Sequence, residues 1–343
     1  MSLASLPASA RSALKLHISN IEESGFVYSG QSDLGTIDKS AYADFSMTPY
    51  TAPVPIALNG HSSGQATRES SLHETNRSQN WEISDGHKMF PFVTHKPHLR
   101  ECLAEFLGAI IVIGFGLGVN SQVGISDGEA GNTMTVSLGW GVAVLMGVYT
   151  AENVSGAQII SVITFTHAVY GRMPWWKVPG YVCAQTLGAF VATALVYLLH
   201  HEQIELADPN KETLHHLFIT YPNNVTNYTA FYSEALACAF LMGCAYAITD
   251  QRNRCPGPVG TPFALALMIM ALVSAFSMNT GLGVSLNRDF GARLFTYIAG
   301  YHSVFTEFSY YFWIPIVAPC VGGVIGAGAY ILFVEIQHPQ TTT

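Results

Sequence analysis

The chain has 343 residues, of which 49% are hydrophobic and only 11% are charged. Soluble domains usually carry about 25% charged residues, so this composition points to a membrane protein. The formal charge of −8 does not set orientation, which follows Lys and Arg rather than net charge. No nucleotide loop, metal-ligating cluster or nucleophile–base pair occurs at a usable spacing. An enzyme, a cofactor, a bound metal and a nucleic-acid partner are therefore not expected.

Residues 1–97 are rich in Ser, Thr, Gly and other polar residues, with scattered prolines and few sustained apolar periods. Such a segment cannot bury enough surface to fold a core and is expected to be a disordered tail, with at most a weak amphipathic helix near Arg11–Ile21. No apolar segment sits at the extreme N-terminus, so no cleaved signal peptide is expected, and the first span would act as its own targeting signal. From residue 98 to 335 the chain changes character. Six apolar stretches, approximately 102–120, 134–151, 178–200, 231–249, 261–279 and 312–334, each reach the roughly 17–25 residues that a helix needs to cross a bilayer. Residues 336–343 form a short C-terminal tail.

Of the 15 Lys and Arg residues, eight lie at or before Arg100. Arg172 and Lys177 follow the second span, Arg252 and Arg254 follow the fourth, and only Lys211 lies in the 201–230 loop. This asymmetry predicts both termini on the cytoplasmic side and the 201–230 loop outside. That loop carries two glycosylation-type sequons, at Asn224 and Asn227; a third, at Asn76, would face the cytoplasm and stay unmodified. The six cysteines form no C-x-x-C pair and read as small buried hydrophobes.

The membrane part contains an internal repeat. Glu105 sits near the start of the first span and Glu234 near the start of the fourth. Each is followed downstream by a Gly-punctuated segment too short to cross alone, VSGAQIISVIT and GLGVSLNRDFG. Two halves of three spans, each with a broken segment at the matching place, form the pattern of inverted-repeat transport proteins. An ionisable residue inside a span usually has a partner. Glu105 and Glu234 are expected to accept hydrogen bonds from backbone N–H groups freed where the short segments leave helical geometry, rather than to relay protons. Irregular backbone at membrane depth is tolerated only when buried or lining a watery cavity. Two such segments entering from opposite faces would meet near the midplane, each followed by a half-helix whose N-terminus points at the centre. That arrangement donates hydrogen bonds to neutral solutes and repels cations.

Several matches in order make the chain similar to the major intrinsic proteins, the aquaporin and aquaglyceroporin family, and most of all to the fungal aquaglyceroporins. They are AEFLG at 104–108, GWGVAVLMGVY at 139–149, VSGA at 154–157, PWWKVPGYVCAQTLGAF at 174–190, AITD at 247–250, NTG at 279–281, RDFGARLFTYIAGY at 288–301 and WIPIVAPCVGG at 313–323. The resemblance covers about 98–335. It implies an all-α integral membrane fold of six transmembrane helices plus two re-entrant half-helices in an inverted repeat. It further implies a homotetramer with one pore per subunit, the lipid bilayer and water, glycerol or similar small neutral solutes as partners, and a plasma-membrane location.

The family's Asn-Pro-Ala tips are replaced. Alignment through VSGA puts Ile160-Ser161-Val162 at the first tip, and alignment through NTG and RDFG puts Ser285-Leu286-Asn287 at the second. Ser161 and Ser285 are expected to cap the half-helices and to offer hydroxyls to the pore, Asn287 to bring an amide near the centre, and Ile160 to make one side apolar. The resemblance places Arg288 at the selectivity-filter arginine, where its fork of donors orients solute and its charge opposes cations. Counting along the matches places Met134, Val273 and Leu282 beside it, giving an apolar and fairly wide filter. Asp289 resembles the loop-supporting acid of glycerol-conducting members, and Arg293 is expected to brace the half-helix or meet external water. Gly156, Gly281 and Gly283 serve tight turns. His167 and Tyr170 are expected to pack against neighbours, and Trp175 and Trp176 beside Lys177 to anchor the chain at the interface. The alternatives are a non-conducting structural or regulatory relative, and a channel of altered selectivity towards ammonia, gases or ions.

Overall fold

A computed structural model describes residues 95–339. The N-terminal tail, its amphipathic segment, the Asn76 sequon and residues 340–343 lie outside the described residues. Among the described residues, six helices are long and apolar enough to cross a membrane, and each coincides with an expected span.

The helices are α1 (Pro97–Ile125), α2 (Thr133–Ser155), α3 (Ser161–Val169), α4 (Val178–Leu199), α5 (His201–Ala207), α6 (Asn227–Thr249), α7 (Gly257–Phe276), α8 (Leu286–Ile298) and α9 (Ile314–Phe333). Local chemistry fixes their starts. Asn132 and Thr135 form a reciprocal capping box at α2, and Thr226 caps α6 through the Thr229 N–H. α1, α4, α7 and α9 each carry proline in the first turn, where the missing N–H costs nothing. Gly156 ends α2 in the left-handed conformation (φ 83°), which costs an L-residue more than glycine.

The repeat is visible in the packing. α1 lies against α2 and α4, α6 lies against α7 and α9, and the halves join through α2 on α7. The half-helices cross over: α8 packs on α4 of the first half, and α3 on α9 of the second. Lipid supplies no hydrophobic drive between spans, so close backbone approach has to hold them. The α6–α9 seam shows this, because a Cβ added at Gly322 or Gly326 would lie 1.9 Å from the carbonyl oxygen of Ala235 or Ala239.

Candidate functional site

Glu105 and Glu234 are both fully buried, and each holds the loop that precedes one half-helix. Glu105 accepts the backbone N–H groups of Gln158 at 3.0 Å and Ile159 at 2.5 Å, together with the Ser155 hydroxyl at 2.5 Å. Glu234 accepts the N–H groups of Gly283 and Val284, both at 2.8 Å, and the Thr280 hydroxyl at 2.6 Å. The six donors occupy equivalent places before the two tips. Sequence reading missed Gln185 of α4, which donates to Glu105 at 2.8 Å and to Thr164 at 3.0 Å. A lone amide inside an apolar span was the available signal.

Each loop then reaches its tip by the same strained path. Ala157 and Ile159 in the first, and Leu282 and Val284 in the second, have φ between 46° and 60°. A left-handed conformation is unfavourable for a β-branched residue and persists only where its surroundings enforce it. The paired N–H bonds to Glu105 and Glu234 provide that enforcement. Gly281 sits at φ 77°, and Gly283 leaves room for Thr220 and Glu234, which a Cβ would approach at 3.1 and 3.4 Å.

The tips touch. The Ser161 N–H donates to Asn287 Oδ1 at 3.0 Å, the Asn287 N–H donates to Ser161 Oγ at 3.3 Å, and Asn287 Nδ2 donates to the Ile159 carbonyl at 3.0 Å. The N-termini of α3 and α8 therefore face one another. The capping differs from expectation in one half. Ser285 does cap α8, accepting the Arg288 N–H at 3.4 Å. Ser161 is the first residue of α3 and not its cap; that place falls to Ile160, which has no capping group. Ser161 and Val162 face protein rather than the cavity, Val162 lying against the bare backbone of Gly323. Of the six tip residues, Ile160, Ser285 and Asn287 line the cavity beside the tips, whereas Ser161, Val162 and Leu286 do not.

That cavity measures about 280 Å³ and runs between the tips and α1, α2 and α7. Val112, Ile113, Val144 and Ile269 make much of its far wall, with Asn120, Ser277 and Arg288 towards one end. There it shares Asn120, Ser277, Gly281 and Arg288 with a wider vestibule of about 390 Å³. At the other end it shares Ile159 and Ile160 with a pocket of about 40 Å³ that reaches Gln158 and Met268. Three cavities thus follow one another past the meeting point of the half-helices.

Arg288, Val273 and Leu282 all line the central cavity. Met134 does not: it lies in the first turn of α2 and is 64% exposed. Trp140, six residues further along α2 and so about 9 Å deeper by helix rise, lines the cavity instead. The Trp140 ring lies 5.5 Å from the Arg288 guanidinium carbon, and its Nε1–H donates to Asn120 at 3.1 Å. Gly116 makes room for it, because a Cβ there would come within 2.5 Å of the indole. The opening beside Arg288 is therefore aromatic on one side, unlike the expected apolar ring. Arg288 is 5% exposed, its Nη1 is 3.8 Å from Asp289, and that nitrogen has no hydrogen-bond partner within the described protein.

Asp289 and Arg293 tie α8 to the loop before α6. Asp289 accepts the Thr220 N–H at 2.8 Å and the Thr220 hydroxyl at 2.6 Å, and it is paired with Arg293. Arg293 is fully buried and donates to the carbonyls of Val304 at 2.5 Å and Thr220 at 2.6 Å, so it braces the half-helix and does not meet water. His167 stacks near Tyr246, with centroids 5.6 Å apart, and Tyr170 donates to the Val324 carbonyl. Trp175 and Trp176 are exposed, with Lys177 bound to Glu101 at 2.7 Å. Asn224 is exposed, whereas the Asn227 amide donates to the Phe308 carbonyl at 3.1 Å. All six cysteines are free thiols.

Residues 92–330 match the family model described as Major intrinsic protein. "Aquaglyceroporin-2" of Rhizophagus irregularis is 38% identical over 243 residues, covering 68% of this chain and 77% of that protein. Human "Aquaporin-9" is 37% identical over 250 residues, covering 70% and 84%. Among solved structures, the aquaglyceroporin from Plasmodium falciparum superposes with a TM-score of 0.65 at 29% identity, covering 70% of this chain and 98% of that one.

Proposed function

The chain belongs to the major intrinsic protein family, and on that premise we propose that it is a passive channel for water, glycerol and similar small neutral solutes. The observation that carries this is the pair of half-helix N-termini meeting at Ser161 and Asn287 beside a row of cavities. N-terminal dipole ends place positive potential at the middle of the path, which disfavours cations while leaving neutral solutes unopposed.

In this reading Arg288, Trp140, Val273 and Leu282 form the filter. The Arg288 guanidinium borders the cavity. Its Nη1 makes no hydrogen bond and only a loose 3.8 Å ion pair to Asp289, so a small turn of the side chain offers a donor to a passing hydroxyl, and Trp140 supplies an apolar face for the carbon side of the solute. Ile160 and Ser285 line the centre, and Glu105, Glu234 and Asp289 hold the loops. The assembly is a homotetramer in the plasma membrane, with both termini cytoplasmic and the 201–230 loop outside. Asn224 is then the better glycosylation acceptor of the two sequons, because it is exposed and its amide reaches only the neighbouring Asn223 at 3.4 Å, whereas half-buried Asn227 is tied to the Phe308 carbonyl at 3.1 Å.

One observation favours altered selectivity as the second reading. The Asn287 amide spends its oxygen and one of its two N–H donors on protein, so the centre offers solute little beyond Ser285 and one amide N–H. Vesicles containing purified protein, challenged with osmotic steps of sucrose or glycerol, separate the readings. The channel predicts faster shrinking and faster glycerol re-swelling than protein-free vesicles. Equal rates for both solutes would remove it.

A further inference from the structure

We propose that Asn287 is the missing cap of the opposite half-helix: a side chain on α8 that starts α3 and locks the two tips together. The need for it arises at Ile160. A helix leaves its first N–H groups without intrahelical partners, and the residue before α3 is an isoleucine, whose carbonyl takes the Ile163 N–H but whose side chain has no acceptor for the N–H of Ser161. α8 has no such deficit, since Ser285 caps it. The amide of Asn287 is placed where the deficit lies. Its oxygen accepts the first N–H of α3, its nitrogen donates to the carbonyl of Ile159, and its own backbone N–H donates to Ser161 Oγ.

Asn287 is 1% and Ser161 5% exposed, so even at the edge of the cavity an unpaired backbone N–H here recovers little of its bond from water. Ser161 and Asn287 act as a reciprocal pair across the centre, each supplying the side-chain acceptor for the other's backbone N–H. The pair resembles a capping box divided between two helices instead of folded within one. Asn287 is thus a positioning residue: it keeps Ile160 and Ser285 at the pore wall.

Hydrogen exchange followed by mass spectrometry tests this on the full-length protein in lipid nanodiscs. Asn287→Ala should speed exchange of the amides at 161–163 by about tenfold, the loss of roughly one well-made hydrogen bond, while α1 at 108–118 stays as in wild type. Adding Ile160→Asn, which gives α3 a cap of its own, should bring 161–163 back to within about threefold of wild type. Unchanged exchange at 161–163 in Asn287→Ala, an equal acceleration of α1, or failure of Ile160→Asn to restore protection would each overturn the assignment. Should Asn287→Ala yield no folded protein, recovery of folded protein in the double variant supports the cap, and no recovery overturns it. The exchange readout does not depend on conduction, so wild-type vesicles that pass no solute would end the channel reading and leave this result standing.

Discussion

The Arg288 guanidinium lies over the Trp140 ring, 5.5 Å from its centre, and Trp140 is steadied there by its bond to Asn120. Charge and aromatic face together bound the opening between vestibule and central cavity. Arg288→Val removes the fixed charge and should raise cation conductance by at least about tenfold, a change of ~1.4 kcal/mol in the barrier. Trp140→Ala should instead favour solutes larger than glycerol, raising their flux relative to water while cations stay excluded. Stopped-flow shrinking and a cation-leak assay on the same vesicles read both. If neither quantity moves in Arg288→Val, the residue has only a structural part.

Glu105 and Glu234 make the same bonds to the two loops, so replacing either should act through folding and not through a proton path. Glu234→Gln keeps one carboxyl-like oxygen but turns an amide nitrogen towards a donor such as the Val284 N–H. Leaving one buried donor unpaired costs about 1–3 kcal/mol. The expected outcome is a lower melting temperature in detergent for Glu234→Gln and Glu105→Gln, with flux per folded molecule unchanged between pH 6 and pH 8. A pH-dependent flux in wild type that disappears in either variant would show a relay instead.

The sequence carried the spans and the loop anchors because both have local signatures: apolar runs of bilayer length, and an acid in each half followed by a Gly-punctuated segment. Arg288, Val273 and Leu282 were reachable because each lies close in sequence to a strong match. Trp140, which lines the cavity where Met134 does not, was not reached, although it stands inside GWGVAVLMGVY. The Asn287–Ser161 pair and the bonds from Arg293 and Asp289 to Thr220 join residues far apart along the chain. No periodicity records such contacts, so the sequence could suggest an amide near the centre but not the helix it would cap. Capping was misjudged at Ser161 for a related reason: a serine at a helix start reads as a cap, and a shift of one residue makes it the first residue of the helix.

The α6–α9 seam leaves no room for a side chain at Gly322, whose added Cβ would sit 1.9 Å from the Ala235 carbonyl oxygen. That neighbour is backbone and cannot swing aside, so the helices would have to separate. Gly322→Val should lower stability by at least about 2 kcal/mol, within the usual range for overpacking. Gly114 in α1 has nothing within 4 Å of its added Cβ, and Gly114→Ala should be neutral or stabilising by up to about 1 kcal/mol. Thermal unfolding of the two variants side by side checks the seam. Equal effects would mean that helix propensity, and not close approach, governs both positions.

Acid should loosen the segment after α5. Asp208 accepts backbone N–H groups from Glu212, Thr213 and Leu214 at 2.8–2.9 Å. Burial by itself raises its pKa, but these bonds to the charged form outweigh it and hold the carboxyl down to about 2 against an ordinary 3.8. A group whose pKa is lower in the folded state contributes stability that is complete above the unfolded value and is lost as pH falls towards the folded one. Asp208→Asn loses the charge and turns a donor towards Thr213 or Leu214, so it should melt below wild type at pH 6. That difference should persist down to about pH 4 and shrink between pH 4 and pH 2, as wild type takes up the proton that the variant cannot bind. A difference in melting temperature that stays constant from pH 6 to pH 2 would show that the Asp208 charge contributes nothing to holding the segment.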